Sequence, residues 1–156
     1  MVRSALLVDP DADRLELLTR AIAEAADVTA CADFQTARSY LLKISPDFLI
    51  SHLRLGAYNG LHLAHLAAYA RLETRCLLYD EPLDFHLACE AQLIGAFYEV
   101  TSRLRFTIPA YIRAPLPERD RRDLRQFDRR GLFRGGRRAT DLRQDPLRAF
   151  SSGLLH

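Results

Sequence analysis

Residues 46–64, "PDFLISHLRLGAYNGLHLA", decide how the chain is read. Phe48, Leu49 and Ile50 form an apolar run of the kind a buried strand needs, and Pro46 just before it ends whatever helix precedes. The run gives way to polar residues at Ser51 and His52, so the strand is expected to run to Ser51. A loop with Gly56, Asn59 and Gly60 follows, and "GLHLAHLAAYARL" then has helical spacing. In an open α/β sheet the carboxyl ends of the strands are where ligands and chemistry collect. His52 stands at such an end.

The same alternation extends both ways. "SALLV" is a short strand, and "DADRLELLTRAIAEAA" a helix with Leu15, Leu18, Ile22 and Ala25 on one face and Asp11 or Asp13 as its cap. "DVTACA" reads as an edge strand. "DFQTARSYLLKI" is a helix capped by Asp33, with Phe34, Ala37, Tyr40, Leu41 and Ile44 inward. In the helix from Gly60 the inward set is Leu61, Ala64, Leu66, Ala68 and Leu72. "TRCLLYD" is a strand, and "EPLDFHLACEAQLIGA" a helix with Pro82 in its first turn and Gly95 at its end. "AFYEV" is the last strand. "SRLRFTIPAYIRA" is a helix that Pro109 interrupts. The order βαβαβαβαβα implies an α/β fold: five parallel strands, right-handed crossovers and helices on both faces of the sheet.

Composition agrees with a globular domain. Of 156 residues, 49% are apolar and 27% charged, which is ordinary for such a domain. No apolar stretch approaches the roughly 20 residues that span a bilayer. The five-residue apolar run at the start is too short for a signal peptide. Cys31, Cys76 and Cys89 are widely spaced, form no zinc pattern, and read as small buried thiols. The expected location is the cytoplasm, with no membrane contact. Charge is split: residues 1–112 carry 10 basic and 14 acidic residues, net −4, while residues 113–156 carry 12 arginines and 6 acids, net +6. The expected division is a domain over 1–112 and an arginine-rich tail over 113–156. The tail is poor in branched apolar residues and is expected to stay unfolded, apart from a transient helix over residues 117–128.

Three stretches, "ALLVDPDADRLELL", "PDFLISHLRLGAYNGLHLA" and "LIGAFYEVTSRL", make residues 3–112 resemble the response-regulator receiver domain of bacterial two-component signalling. The resemblance implies a five-stranded doubly wound sheet of the flavodoxin type. It also implies a pocket at the strand ends. There an acidic pair after the first strand binds magnesium, an aspartate after the third accepts a phosphoryl group, and a hydroxyl residue and a lysine contact the phosphate. An aromatic residue on the last strand switches the surface.

Transferred position by position, that chemistry fails. Asp9 matches the first acid, but the second falls on Pro10, and Asp11 is one residue late. The phosphoacceptor falls on His52, the hydroxyl position on Asp80, the lysine on Ser102 and the switch aromatic on Glu99. Asp80 would repel a phosphoryl group. His52 then reads as a polar strand-end residue bonded to Asp9 or Asp80, as a pH-sensitive imidazole whose charged form those carboxylates favour, or as a metal ligand with both. His62, His65 and His86 read as helix-surface residues and Asp47 as a turn residue. No phosphate-binding glycine loop and no nucleophile–base pair can be placed, so neither catalysis nor a cofactor is expected.

In the tail the pairs Arg121–Arg122, Arg129–Arg130 and Arg137–Arg138 recur every eight residues, in "DRRDLRQF", "DRRGLFRG" and "GRRATDLR". Arginine forks suit phosphates and carboxylates, and Phe127 and Phe133 could stack among them. Interspersed acids dilute the field. The leading expectation is therefore a phosphorylation-independent receiver-like module that works by contact with a signalling protein. Its rival is a nucleic-acid-associated protein whose working part is the tail.

Overall fold

The computed structural model describes residues 2–115. The chain runs β1 (Ser4–Val8), α1 (Ala12–Ile22), β2 (Asp27–Cys31), α2 (Phe34–Ile44), β3 (Phe48–His52), β4 (Arg54–Leu55), β5 (Tyr58–Asn59), α3 (Gly60–Tyr69), β6 (Arg75–Asp80), α4 (Phe85–Leu93), β7 (Phe97–Val100), a 3₁₀ turn (Thr101–Arg103) and α5 (Leu104–Arg113). Five strands pair in the order β2-β1-β3-β6-β7, and every pairing is parallel. This is the doubly wound α/β sheet that the βα alternation implies, with β2 on an edge.

Because side chains alternate along a strand, the sheet serves two cores. Leu6, Val8, Leu49 and Leu78 pack with Ala37 and Leu41 of α2, Leu63 and Ala67 of α3 and Ala91 of α4. Ala5, Leu7, Phe48, Ile50, Leu77 and Tyr79 pack on the other face with Leu18 and Ile22 of α1 and Leu104, Ile108 and Ile112 of α5. All five residues of β3 are buried, so its continuous apolar run is what a central, doubly covered strand requires.

Local expectations are corrected at several points. β3 includes His52 rather than ending at Ser51, because His52 is in register with Tyr79 of β6. The loop after it contains a two-stranded turn, β4–β5, with Gly56 at φ 72°. α1 ends at Ile22, not near Ala26: the Ile22 carbonyl accepts from both Ala25 and Ala26, which tightens the chain into β2. Pro82 precedes α4. The cap is Asp84, whose carboxylate accepts from the N–H groups of His86 and Leu87. Pro109 does not interrupt α5, since Leu104, Ile108 and Ile112 hold one buried stripe through it. Tyr40 and Ile44 are exposed, leaving Ala37 and Leu41 as the buried stripe of α2. α3 ends at Tyr69, before Leu72; the residues deepest in the core are Leu63 and Ala67, while Leu66, Ala68 and, beyond the helix, Leu72 are half-buried. Cys31 and Cys76 are buried but Cys89 is exposed, on the outer side of α4. Among the described residues no helix is long and apolar enough to cross a membrane. The arginine pairs between 121 and 138 and the expected helix at 117–128 lie outside the described residues.

Candidate functional site

β1, β3 and β6 all end at one edge of the sheet, bringing Asp9, His52 and Asp80 to the same end of it. All three are buried, Asp9 completely. A buried carboxylate without partners is costly, so its hydrogen bonds say what the site is for.

Asp9 is fully satisfied from within the chain. Oδ1 accepts from the Asp11 N–H at 2.8 Å and from Arg14 Nη2 at 2.8 Å. Oδ2 accepts from Arg14 Nε at 2.5 Å and from the Tyr79 hydroxyl at 2.5 Å. Four donors thus occupy the roughly four lone-pair sites that a carboxylate offers. The pairing shifts both partners: Asp9 raises Arg14 further above its ordinary value, and burial, followed by Asp9, raises the Tyr79 phenol.

Asp80 is likewise held. Oδ2 accepts from Arg54 Nε at 2.9 Å, and Oδ1 accepts from the Glu81 N–H at 2.8 Å. His52 Nε2 lies 3.4 Å from the same Oδ1. The other ring nitrogen, Nδ1, is 2.9 Å from the Arg54 carbonyl oxygen and 3.1 Å from the Arg54 N–H nitrogen. The imidazole also meets the Tyr79 ring edge-on, with centroids 5.4 Å apart.

The remaining expected residues sit elsewhere. Asp11 caps α1 by accepting from the Arg14 N–H at 2.9 Å, which holds its carboxyl below the usual range. Ser102 is at the rim, its N–H donating to the Glu81 carboxylate at 3.1 Å. Glu99 is buried, accepting from the Val100 N–H and, at 2.8 Å, from Thr107 of α5. Asp47 is more than a turn residue: it accepts from the N–H and hydroxyl of Ser4, tying the start of β3 to β1. His62 completes a capping box with Asn59, while His65 and His86 are on the surface. Among the described residues no group of three acids, histidines or cysteines is placed to hold a metal, so the pairing of His52 with Asp9 and Asp80 as a metal set is not formed.

Sequence reasoning missed Arg14, Arg54 and Tyr79. One signal was present: Arg14 lies in the first turn of α1, where the helix dipole disfavours a cation, so a nearby carboxylate had to hold it.

The fold agrees with that of solved receiver domains. The chemotaxis protein CheY4 of Vibrio cholerae superposes with a TM-score of 0.65 at 17% identity, covering 72% of this chain and 97% of that one. The beryllofluoride-activated receiver domain of DrrB, a Thermotoga maritima protein, gives 0.65 at 16% identity, covering 72% and 95%. A Francisella response regulator receiver domain gives 0.65 at 13% identity, covering 70% and 93%. The chain has the receiver fold. No family model and no curated protein matches it in sequence. Within this fold Asp9, at the end of β1, is paired with Arg14, and His52 is the last residue of β3.

Proposed function

We propose that the protein is a receiver module that signals by protein contact without aspartyl phosphorylation, in a two-component type of pathway in the cytoplasm. The observation that carries this reading is the saturation of Asp9. Magnesium is a hard cation that needs oxygen ligands in near-ideal octahedral geometry. To reach Asp9 it would have to displace a guanidinium and a buried phenol, each bonded to the same carboxylate. The acceptor position offers an imidazole, and Ser102 supplies no cation for a phosphoryl group. Binding and surface display remain as the work of the fold, not catalysis.

The test is incubation of the full chain with a small phosphodonor and magnesium, followed by intact mass. No phosphoryl adduct is expected. A stable adduct within residues 46–60 overturns the reading. His52→Asp alone is expected not to restore phosphorylation, since Arg14 still occupies Asp9.

The charge split of the sequence favours a second reading, in which the three arginine pairs bind a polyanion such as RNA or DNA. Binding would then weaken steeply with salt, with a log–log slope of roughly −3 to −5 for about four to six phosphate contacts. No binding of a labelled oligonucleotide at low salt removes it.

A further inference from the structure

His52 Nδ1 has two partners on one residue, and they are mutually exclusive. The Arg54 N–H, 3.1 Å away, needs a lone pair on Nδ1. The Arg54 carbonyl oxygen, 2.9 Å away, needs a proton there. A neutral ring with its hydrogen on Nε2 satisfies the first and points that hydrogen at Asp80. A doubly protonated ring satisfies only the second.

We infer that His52 is a proton-operated latch on Arg54: a proton gained from solvent at Nδ1 releases the Arg54 N–H and engages the Arg54 carbonyl instead. Both groups belong to one residue and lie within reach of Nδ1 together, so the exchange frees the peptide unit on one side of Arg54 and loads the one on the other. The same proton adds a positive charge beside Asp80, where the Arg54 guanidinium already sits. Two cations then share one carboxylate. The Arg54 side chain is 74% exposed, so it is the partner that leaves with least cost. Arg54 opens the β4–β5 turn and is in register with Asn59, the cap of α3. Movement at Arg54 therefore reaches exposed Tyr58 and half-buried Asn59.

The charged and titratable groups around the ring are few. β6 supplies Asp80 and Tyr79, followed by Glu81, whose carboxylate is on the Ser102 N–H. β4 supplies Arg54. The start of α1 supplies Asp11, which feels the imidazole electrostatically. The Asp9–Arg14 pair at the end of β1 closes the set and is internally balanced. Asp80 is the closest anion.

The latch rests on the pocket being closed to phosphoryl transfer, because a phosphoryl group at His52 would compete for the same nitrogens. The phosphodonor experiment tests that closure separately. The latch is tested by NMR of the ¹⁵N-labelled full chain from about pH 8 to about pH 5, the span in which histidine changes charge. At high pH the Nδ1 resonance is expected to be that of an unprotonated acceptor. On acidification both ring nitrogens become protonated, and the amides of Arg54, Tyr58 and Asn59 shift with the same midpoint. His52→Gln abolishes those shifts. Arg54→Ala, which keeps the backbone groups, retains them at residue 54 and separates the backbone exchange from the guanidinium. A ring that titrates while the Arg54 amide stands still overturns the latch. So does a Nδ1 that carries its proton at every pH, or a ring that stays neutral throughout.

Discussion

The Arg14 guanidinium grips Asp9 side-on, with Nε 2.5 Å from Oδ2 and Nη2 2.8 Å from Oδ1. Asp9 has no exposed surface, whereas the Arg14 side chain is 27% exposed. Removing the cation would leave a buried anion with only Asp11 and Tyr79 as donors. Arg14→Ala is expected to lower stability by about 3 kcal/mol, the low end of the range for breaking a buried pair, because Arg14 is partly solvated. Replacing both partners with apolar residues, Asp9→Leu with Arg14→Met, is expected to cost much less. Urea unfolding of the single and double variants checks this, and equal losses in the two would contradict it.

Tyr79→Phe keeps the ring that packs against His52 and removes the hydroxyl that bonds Asp9. The expected loss is about 1.5–3 kcal/mol, the usual worth of a hydrogen bond to a charged group. Thermal unfolding measures it. An unchanged midpoint would mean that Arg14 and the Asp11 N–H satisfy the carboxylate without the phenol.

Gly60 opens α3 directly beneath β3. A Cβ there would lie 2.6 Å from the His52 carbonyl oxygen and 2.9 Å from Ser51 Oγ. The first of these is backbone and cannot swing aside. Gly60→Ala is therefore expected to destabilise by about 1–3 kcal/mol, like other overpacked sites, despite alanine's better helix propensity. Gly56→Ala faces open space but sits at φ 72°, and its expected cost is backbone strain alone. Comparing the two denaturation midpoints distinguishes a clash from strain.

The three cysteines are expected to separate by reactivity. Cys89 is exposed and reacts first with a thiol reagent under native conditions. Burial pushes the Cys31 thiol up to about 11, so little thiolate is present at neutral pH. Cys76 is buried. Mass analysis should find one modification natively and three after denaturation. Rapid native labelling of Cys31 would show that the β2 edge opens.

Acid should weaken the fold through its helix caps. The Thr36 N–H and hydroxyl hold the Asp33 carboxyl low, and the Arg14 N–H does the same for Asp11. Groups with a depressed folded pKa contribute stability above their unfolded value, about 3.9 for aspartate, and lose it as pH falls through the folded value. Asp33→Asn keeps a competent cap without the charge. It is expected to flatten the stability profile between about pH 2 and about pH 5 relative to the parent chain.

The sheet was legible in the sequence because its cause is local. Phe48–Ile50 and the "SALLV" strand are apolar on both faces, the helices between them on one, and alternating strands and helices leave few topologies open. Asp9, His52 and Asp80 were placed at strand ends by that topology, and the Asp33 cap by spacing, whereas the cap of α1 stayed open between Asp11 and Asp13 until the structure gave Asp11. Helix ends were less legible: α1 ends at Ile22 and α4 begins after Asp84, where hydrogen bonds to particular carbonyls and carboxylates outweigh apolar spacing. What only the tertiary structure decided is who neutralises the buried acids. Arg14, in the first turn of α1, reaches back five residues to Asp9, Tyr79 crosses from a strand that follows 70 residues later in the chain, and Arg54 bonds Asp80. A buried charge takes whatever donor three-dimensional packing brings within hydrogen-bond distance, and sequence spacing does not encode that distance.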